Sequence, residues 1–184
     1  MNRTALLLAI VVLVAAVLGA LFNWGLTPRD ARDVASPLIG RTLDEWEAPL
    51  LPRYQAEWGE TLRYSDLIGR PLVVNVWASW CRPACYNEAP RWKRAWDAYQ
   101  DHVLIVGVNF QDTPADATSF LDRFEKKFPS VADPRGRIGI AWGVFGVPET
   151  YFIRADGTLS HKHNGEIDMV TIERQIEALL EGGG

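Results

Sequence analysis

The only two cysteines of the chain, Cys81 and Cys85, stand four residues apart where an apolar run ends and a helical pattern begins. Leu72–Trp77 follows Gly69-Arg70-Pro71 and is short, apolar and valine-rich, which suits a strand buried on both faces. From Pro83 to about Tyr99, the residues Ala89, Trp92, Trp96 and Tyr99 recur at helical spacing, with Arg91, Lys93, Arg94 and Asp97 opposite. Pro90 lies inside this pattern and predicts a kink. The arrangement puts two sulfurs at the tip of a helix. Unpaired amide N–H groups and the helix dipole favour a thiolate at Cys81, while Cys85, one turn further in, is better shielded. Thiol–disulfide exchange needs that asymmetry: the exposed thiolate attacks a disulfide and the second thiol resolves the mixed disulfide. As a staple, so short a loop contributes only about 2 kcal/mol. The pair reads as chemistry.

The rest of the chain gives that pair a setting. A length of 184 residues and a net charge of −4 fit one globular domain with a small appendage. There is no basic patch for nucleic acid. After Met1-Asn2-Arg3, an unbroken apolar run from Ala5 to Phe22 is near the lower limit for spanning a bilayer, and Thr4 and Trp24 extend it. Leu18-Gly19-Ala20 is a poor cleavage site for a signal peptide because Leu18 is large. The expectation is an uncleaved membrane anchor over residues 1–24 and a tether over 25–44, broken by Pro28, Pro37 and Gly40. Arg3 is uncompensated, whereas Arg29, Asp30, Arg32 and Asp33 cancel, which places the following domain on the extracytoplasmic side.

Residues 45–184 form the expected domain. Two strand-like pieces, near Glu45–Leu51 and Glu60–Tyr64, are joined by a polar loop containing Gly59 and read as a lead-in hairpin. Val103–Asn109 is a second buried strand, and Pro114–Phe128 follows as a helix with Ala117, Phe120, Leu121 and Phe124 on one face. Asp133–Trp142 reads as a loop with a short helix. Glu149–Ile153 and Thr158–His163 are strands joined by a turn at Asp156-Gly157. Asp168 caps a last helix, with Ile172, Ile176 and Leu179 on its apolar stripe, that ends before Gly182. The fold class is α/β, a mixed central sheet flanked by helices, with the first two strands parallel through a right-handed crossover.

Trp80-Cys81-x-Pro83-x-Cys85, followed by Glu88 and Pro90, resembles the active site of the membrane-anchored thioredoxin-like reductases TlpA, ResA and CcmG (also called DsbE). The likeness covers roughly residues 36–180. Ser36-Pro37-Leu38-Ile39-Gly40, Gly107-Val108-Asn109-Phe110-Gln111-Asp112 and the hairpin from Asp156-Gly157 to His163 and Gly165 resemble CcmG segments in the same order. Gly143-Val144-Phe145-Gly146-Val147-Pro148-Glu149-Thr150 is the most CcmG-specific match. The resemblance implies a thioredoxin-like fold, with Cys81 as nucleophile and Cys85 as resolving thiol. It places Trp80, Pro83, Val147, Pro148 and Glu149 along the active-site groove, with Pro148 as a cis-proline facing the cysteines. It also makes Glu88 the acid beside them. Independently, a carboxylate at i+3 from Cys85 lies one turn away and can relay a proton to or from that thiol. Asn75 stands where ordinary thioredoxins carry a buried aspartate.

The sequence departs from that family in one respect. Three residues separate its cysteines, Arg82, Pro83 and Ala84, where the family has two. A regular helix still brings i and i+4 to about 6 Å, within disulfide range. The same spacing resembles the copper site of Sco-type metallochaperones, but Val147-Pro148 stands where those proteins place a histidine. His161 and His163, at i and i+2 of a strand, are the histidines able to join two thiolates around a metal, while His102 reads as a surface residue. A peroxiredoxin-like peroxidase lacks its threonine before Cys81. The resemblance thus implies a tethered reductase with no cofactor, acting on partner-protein disulfides of an apocytochrome c or a maturation helper. The resemblance also implies that it is re-reduced by a transmembrane donor of the CcdA or DsbD kind. A general TlpA-like periplasmic reductase and an Sco-like copper chaperone are the alternatives.

Overall fold

The computed structural model describes residues 2–25 and 36–182. Half of the expected tether, including Pro28, Arg29, Asp30, Arg32 and Asp33, lies outside the described residues. The chain divides into two units. The first contains helix α1, Arg3–Gly25, along which Leu7, Val12, Leu13 and Phe22 are exposed. Among the described residues, no helix is long and apolar enough to cross a membrane.

The second unit is built on a five-stranded sheet in the order β5-β4-β3-β6-β7. β3 (Leu72–Trp77) pairs in parallel with β4 (Leu104–Phe110), and β4 in parallel with β5 (Ser130–Asp133). On its other side β3 runs antiparallel to β6 (Glu149–Ile153), which turns through Asp156-Gly157 into antiparallel β7 (Leu159–Asn164). Gly157 has a φ of 85° there, and the Asp156 side chain accepts from Thr158 N at 2.8 Å. Every residue of β3 is buried, as a central strand covered on both faces requires. A small antiparallel pair, β1 (Glu47–Pro49) and β2 (Thr61–Arg63), precedes the sheet.

Strand alternation divides the core. Val73, Ile105 and Phe152 meet Trp92 and Ala95 of α3 (Ala84–Tyr99) and Ile172, Ile176 and Leu179 of α6 (Met169–Glu181). Leu72, Val74, Val106 and Tyr151 point the other way. They meet Phe120 and Leu121 of α4 (Pro114–Phe124), Trp142 after α5 (Arg137–Ala141), and the lead-in residues Trp46 and Tyr64. Gly107 admits no side chain, because a Cβ there would collide with Ser130 Oγ and the Trp77 indole.

Four expectations change. The loop within the lead-in hairpin is a helix, α2 (Pro52–Trp58), started by Pro52 and anchored by buried Tyr54. The four-residue strand β5 is added, pairing with β4 beyond α4. α4 ends at Phe124 rather than Phe128, because Glu125 turns left-handed (φ 48°) and sends Lys126 inward. α3 starts at Ala84, one residue later than expected, and continues through Pro90.

Candidate active site

β3 delivers the chain to a turn from Ala78 to Pro83, and α3 carries it away. Cys81 N donates to Ala78 O at 3.3 Å and Arg82 N to Trp80 O at 2.9 Å, so the turn is tight before the helix begins. Cys85 N then donates to Cys81 O at 3.2 Å, closing the first helical hydrogen bond. The extra residue between the cysteines is therefore absorbed ahead of the helix, around Arg82-Pro83. The Cys81 and Cys85 Cα atoms are 5.4 Å apart and the two sulfurs are bonded to each other. Cys81 remains 6% exposed and Cys85 1%, the asymmetry expected of attacking and resolving sulfurs.

Two neighbouring segments hold the turn. Asp112, after β4, accepts from Ser79 N at 2.6 Å and Ser79 Oγ at 2.8 Å, and from Asn109 Nδ2 at 2.9 Å. The exposed Trp80 donates its indole N–H to Gln111 O at 3.0 Å. The second segment is the loop before β6. Peptide bonds Arg82-Pro83 and Val147-Pro148 are both cis. Cys81 Sγ lies 3.3 Å from Val147 O, a contact that becomes an S–H···O hydrogen bond when Cys81 is a thiol. Glu149 lies beneath that loop rather than along the open groove, and is only 1% exposed. Its carboxylate accepts from Phe145 N at 2.9 Å, Gly146 N at 3.3 Å and Tyr151 Oη at 2.9 Å, and pairs with Lys162 Nζ at 2.8 Å. The residue clamps the loop that presents Val147 and Pro148.

Glu88 lies on the other face of the sheet, one helical turn after Cys85, and is 1% exposed. Asn75 Nδ2 donates to its Oε1 at 2.9 Å, and Ile167 N to its Oε2 at 3.4 Å. Burial pushes the Glu88 carboxyl up to about 7, against the opposing pulls of Asn75 and then Lys126. The Trp92 indole N–H also favours the anion, although it makes no hydrogen bond of standard geometry. A carboxyl poised near neutrality can accept and return a proton. Lys126 escaped the sequence reading altogether, because nothing in Glu125-Lys126-Lys127 marks one lysine as buried.

A groove of about 540 Å³ runs beside the turn, lined by Trp80, Arg82, Tyr86, Gln111, Asp112 and Arg123 among others. The Arg82 guanidinium lies 4.0 Å from the Tyr86 ring centroid and donates to its hydroxyl at 2.7 Å. The expected histidines lie on β7, where His161 packs against Phe152 and His163 Nε2 is 3.1 Å from Glu166 O. Among the described residues, no group of three or more His, Cys, Asp or Glu side chains is placed to hold a metal ion.

A mixed sheet that delivers a cysteine pair to the start of a helix, opposite a cis-proline loop, is the thioredoxin-like arrangement, and with the bonded pair it defines a thiol:disulfide oxidoreductase. Residues 39–162 match the AhpC/TSA family. The chain is 35% identical over 181 residues to the thiol:disulfide interchange protein DsbE of Allochromatium vinosum, covering 98% of this chain and 96% of that one. It is 32% identical to the DsbE of Pseudomonas aeruginosa, covering 83% and 81%. Among solved structures, a thiol:disulfide interchange protein DsbE from Chlorobium tepidum superposes with a TM-score of 0.68 at 27% identity, covering 77% of this chain and 97% of that one. The chain belongs to the AhpC/TSA family, among its DsbE (CcmG) relatives.

Proposed function

We propose that the chain is a membrane-tethered, extracytoplasmic reductase of partner-protein disulfides that works in cytochrome c maturation. The observation that carries the reducing direction is the buried Glu88 carboxyl, one turn from Cys85 and poised near neutrality. In the reduced protein the Cys81 thiolate attacks a partner disulfide. The partner S–S bond breaks, a Cys81–partner disulfide forms, and the first partner thiolate leaves and takes up a proton. Cys85 then gives its proton to Glu88 and attacks Cys81 Sγ. This forms the internal disulfide seen here and releases the second partner sulfur as a thiolate, which is protonated in turn. Two electrons have passed from the cysteine pair to the partner. Negative charge at Glu88 disfavours the thiolates, which makes the pair more reducing.

The tether is supported by the apolar run Ala5–Phe22 and by the exposure of its leucines and valines along α1, a surface that calls for an apolar cover. An extracytoplasmic domain needs its cysteines re-reduced from across the membrane, so the electron donor is a membrane protein of the CcdA or DsbD kind. Trp80, Pro83, Val147 and Pro148 form the surface against which a partner peptide lies. The pathway is supported by the kinship with proteins named DsbE.

Replacing Cys85 by alanine removes the resolving thiol and is expected to accumulate a mixed disulfide through Cys81 with an apocytochrome or a maturation helper. Deleting the gene is expected to lower covalently bound haem. Unchanged c-type cytochromes, with other exported thiol proteins left oxidised, would move the enzyme to a general periplasmic reductase.

A further inference from the structure

Lys126 is a lysine 1% exposed to solvent, which is costly unless its charge is compensated. It follows the left-handed Glu125 that ends α4, and the Tyr54 hydroxyl pins its backbone by donating to Lys126 O at 2.8 Å. Its ammonium donates to Asn75 Oδ1 at 3.1 Å and lies 4.2 Å from the Trp77 ring centroid and 4.5 Å from that of Phe128. The other end of the same amide, Asn75 Nδ2, donates to Glu88 Oε1. A lysine only donates and a carboxylate only accepts, so the Asn75 amide fits between them in one orientation. A cation, an amide bridge and an acid thus form one buried chain, ending one turn from the resolving cysteine.

We propose that Lys126 is a positioning residue for resolution of the mixed disulfide: through Asn75 its ammonium holds the Glu88 carboxylate ready to take the proton of Cys85. The proposal rests on the reading of Glu88 as that proton acceptor. Without a nearby cation, a carboxyl as buried as Glu88 stays protonated at neutral pH and cannot accept a second proton. With Lys126 in place, Glu88 titrates near 7, so a large share of it is the anion that can take the Cys85 proton at neutral pH. The S–H bond of Cys85 breaks, its proton moves to Glu88, the Cys85–Cys81 bond forms, and the Cys81–partner bond breaks to release a thiolate.

The electrostatics agree with this geometry. Burial pushes Lys126 down to about 7 and Glu88 opposes the shift, while Lys126 opposes the rise at Glu88. Other charged groups on the surrounding elements are engaged elsewhere. Arg91 is held by Glu166 at 2.8 Å and by Ile167 O at 2.7 Å, and Lys127 pairs with Asp97 at 2.9 Å. His163 meets the Glu166 carbonyl. From β6, the uncharged Thr150 Oγ1 lies 3.5 Å from Asn75 Nδ2. Glu88, Lys126 and Cys85 are the titratable groups of the unit.

The test is the rate at which a mixed disulfide on Cys81 of the full chain resolves, followed from pH 5 to 10. Lys126→Met is expected to move the midpoint of the profile up by about one pH unit or more, which slows resolution at pH 7 by about fivefold or more. In a Glu88→Gln background the same substitution is expected to change nothing further. A folded Lys126→Met protein with the parent's midpoint overturns the role of Lys126. If Glu88→Gln nevertheless abolishes the pH step, the proton-acceptor reading stands alone; if Glu88→Gln also leaves the profile intact, both fail. Should Lys126→Met not fold, ¹³C titration of the Glu88 carboxyl and ¹⁵N titration of the Lys126 amine in the parent decide it. A shared inflection near neutrality supports the coupling, and a lysine titrating in its ordinary range overturns it.

Discussion

Glu88 and Glu149 lie on opposite faces of the central sheet, because Asn75, which binds Glu88, pairs with Thr150, while Glu149 pairs with Val76. Both carboxylates are buried, and both have a lysine in their network. The wiring differs. Lys162 touches Glu149 directly at 2.8 Å, and three further donors, two of them loop amides, occupy the same carboxylate. Lys126 reaches Glu88 only through Asn75, and Glu88 keeps fewer donors. The saturated carboxylate holds a shape, the loop of Val147 and Pro148 against Cys81. The undersaturated one, beside Cys85, is free to trade a proton. Similar residue types thus serve geometry on one side of the sulfurs and acid–base chemistry on the other.

The comparison can be broken at its stronger end first. Glu149→Ala strands a buried Lys162 and two loop amides, and is expected to cost about 3–5 kcal/mol in urea unfolding of the oxidised protein. A loss below about 1 kcal/mol would mean that the clamp is not holding the loop. The Glu88–Lys126 side is expected to register in pH rather than in raw stability. Glu88 is raised from 4.5 to about 7 by burial, so its contribution is full below 4.5 and is lost as pH rises through 7. Lys126 is lowered from 10.5 to about 7, so its contribution is full above 10.5 and is lost as pH falls through 7. The unfolding free energy should pass through a minimum near pH 7, rising toward both acid and alkaline pH, which the Glu88→Gln, Lys126→Met double variant flattens. The smallest effect falls on Tyr151. Burial and then the Glu149 charge raise its hydroxyl above its ordinary range, and the hydroxyl lies 2.9 Å from Glu149 and 3.1 Å from Trp142 O. Tyr151→Phe should cost about 1 kcal/mol and leave the pH minimum in place.

What was legible in the sequence was local. Valines in Leu72–Trp77 and the helical spacing of Ala89, Trp92 and Tyr99 point to a buried strand and a helix without any knowledge of partners. Cys81, Cys85 and Glu88 follow from position along that helix. The β5 strand was not legible, since Ser130–Asp133 is four residues whose identity as a strand comes from pairing with β4. The helix Pro52–Trp58 is polar apart from a few residues, and buries Tyr54 against a chain segment 72 residues away. Lys126 is the sharpest case. Lys126 and Lys127 are neighbours of one type, and only the left-handed turn at Glu125 sends the first beneath Trp77 and leaves the second outside with Asp97. Glu149 was legible as a residue of the loop motif, but its partners are backbone amides and a lysine from the next strand, so its clamping role emerges only in three dimensions.

The central claim is that Glu88 takes the proton of Cys85 when the mixed disulfide resolves. Its most direct test compares parent and Glu88→Gln proteins, each carrying a mixed disulfide on Cys81, by the resolution rate across pH. The account predicts a step near pH 7 in the parent, its loss in Glu88→Gln, and resolution about a hundredfold slower above that step. A Glu88→Gln profile with the same step and the same rate would contradict it.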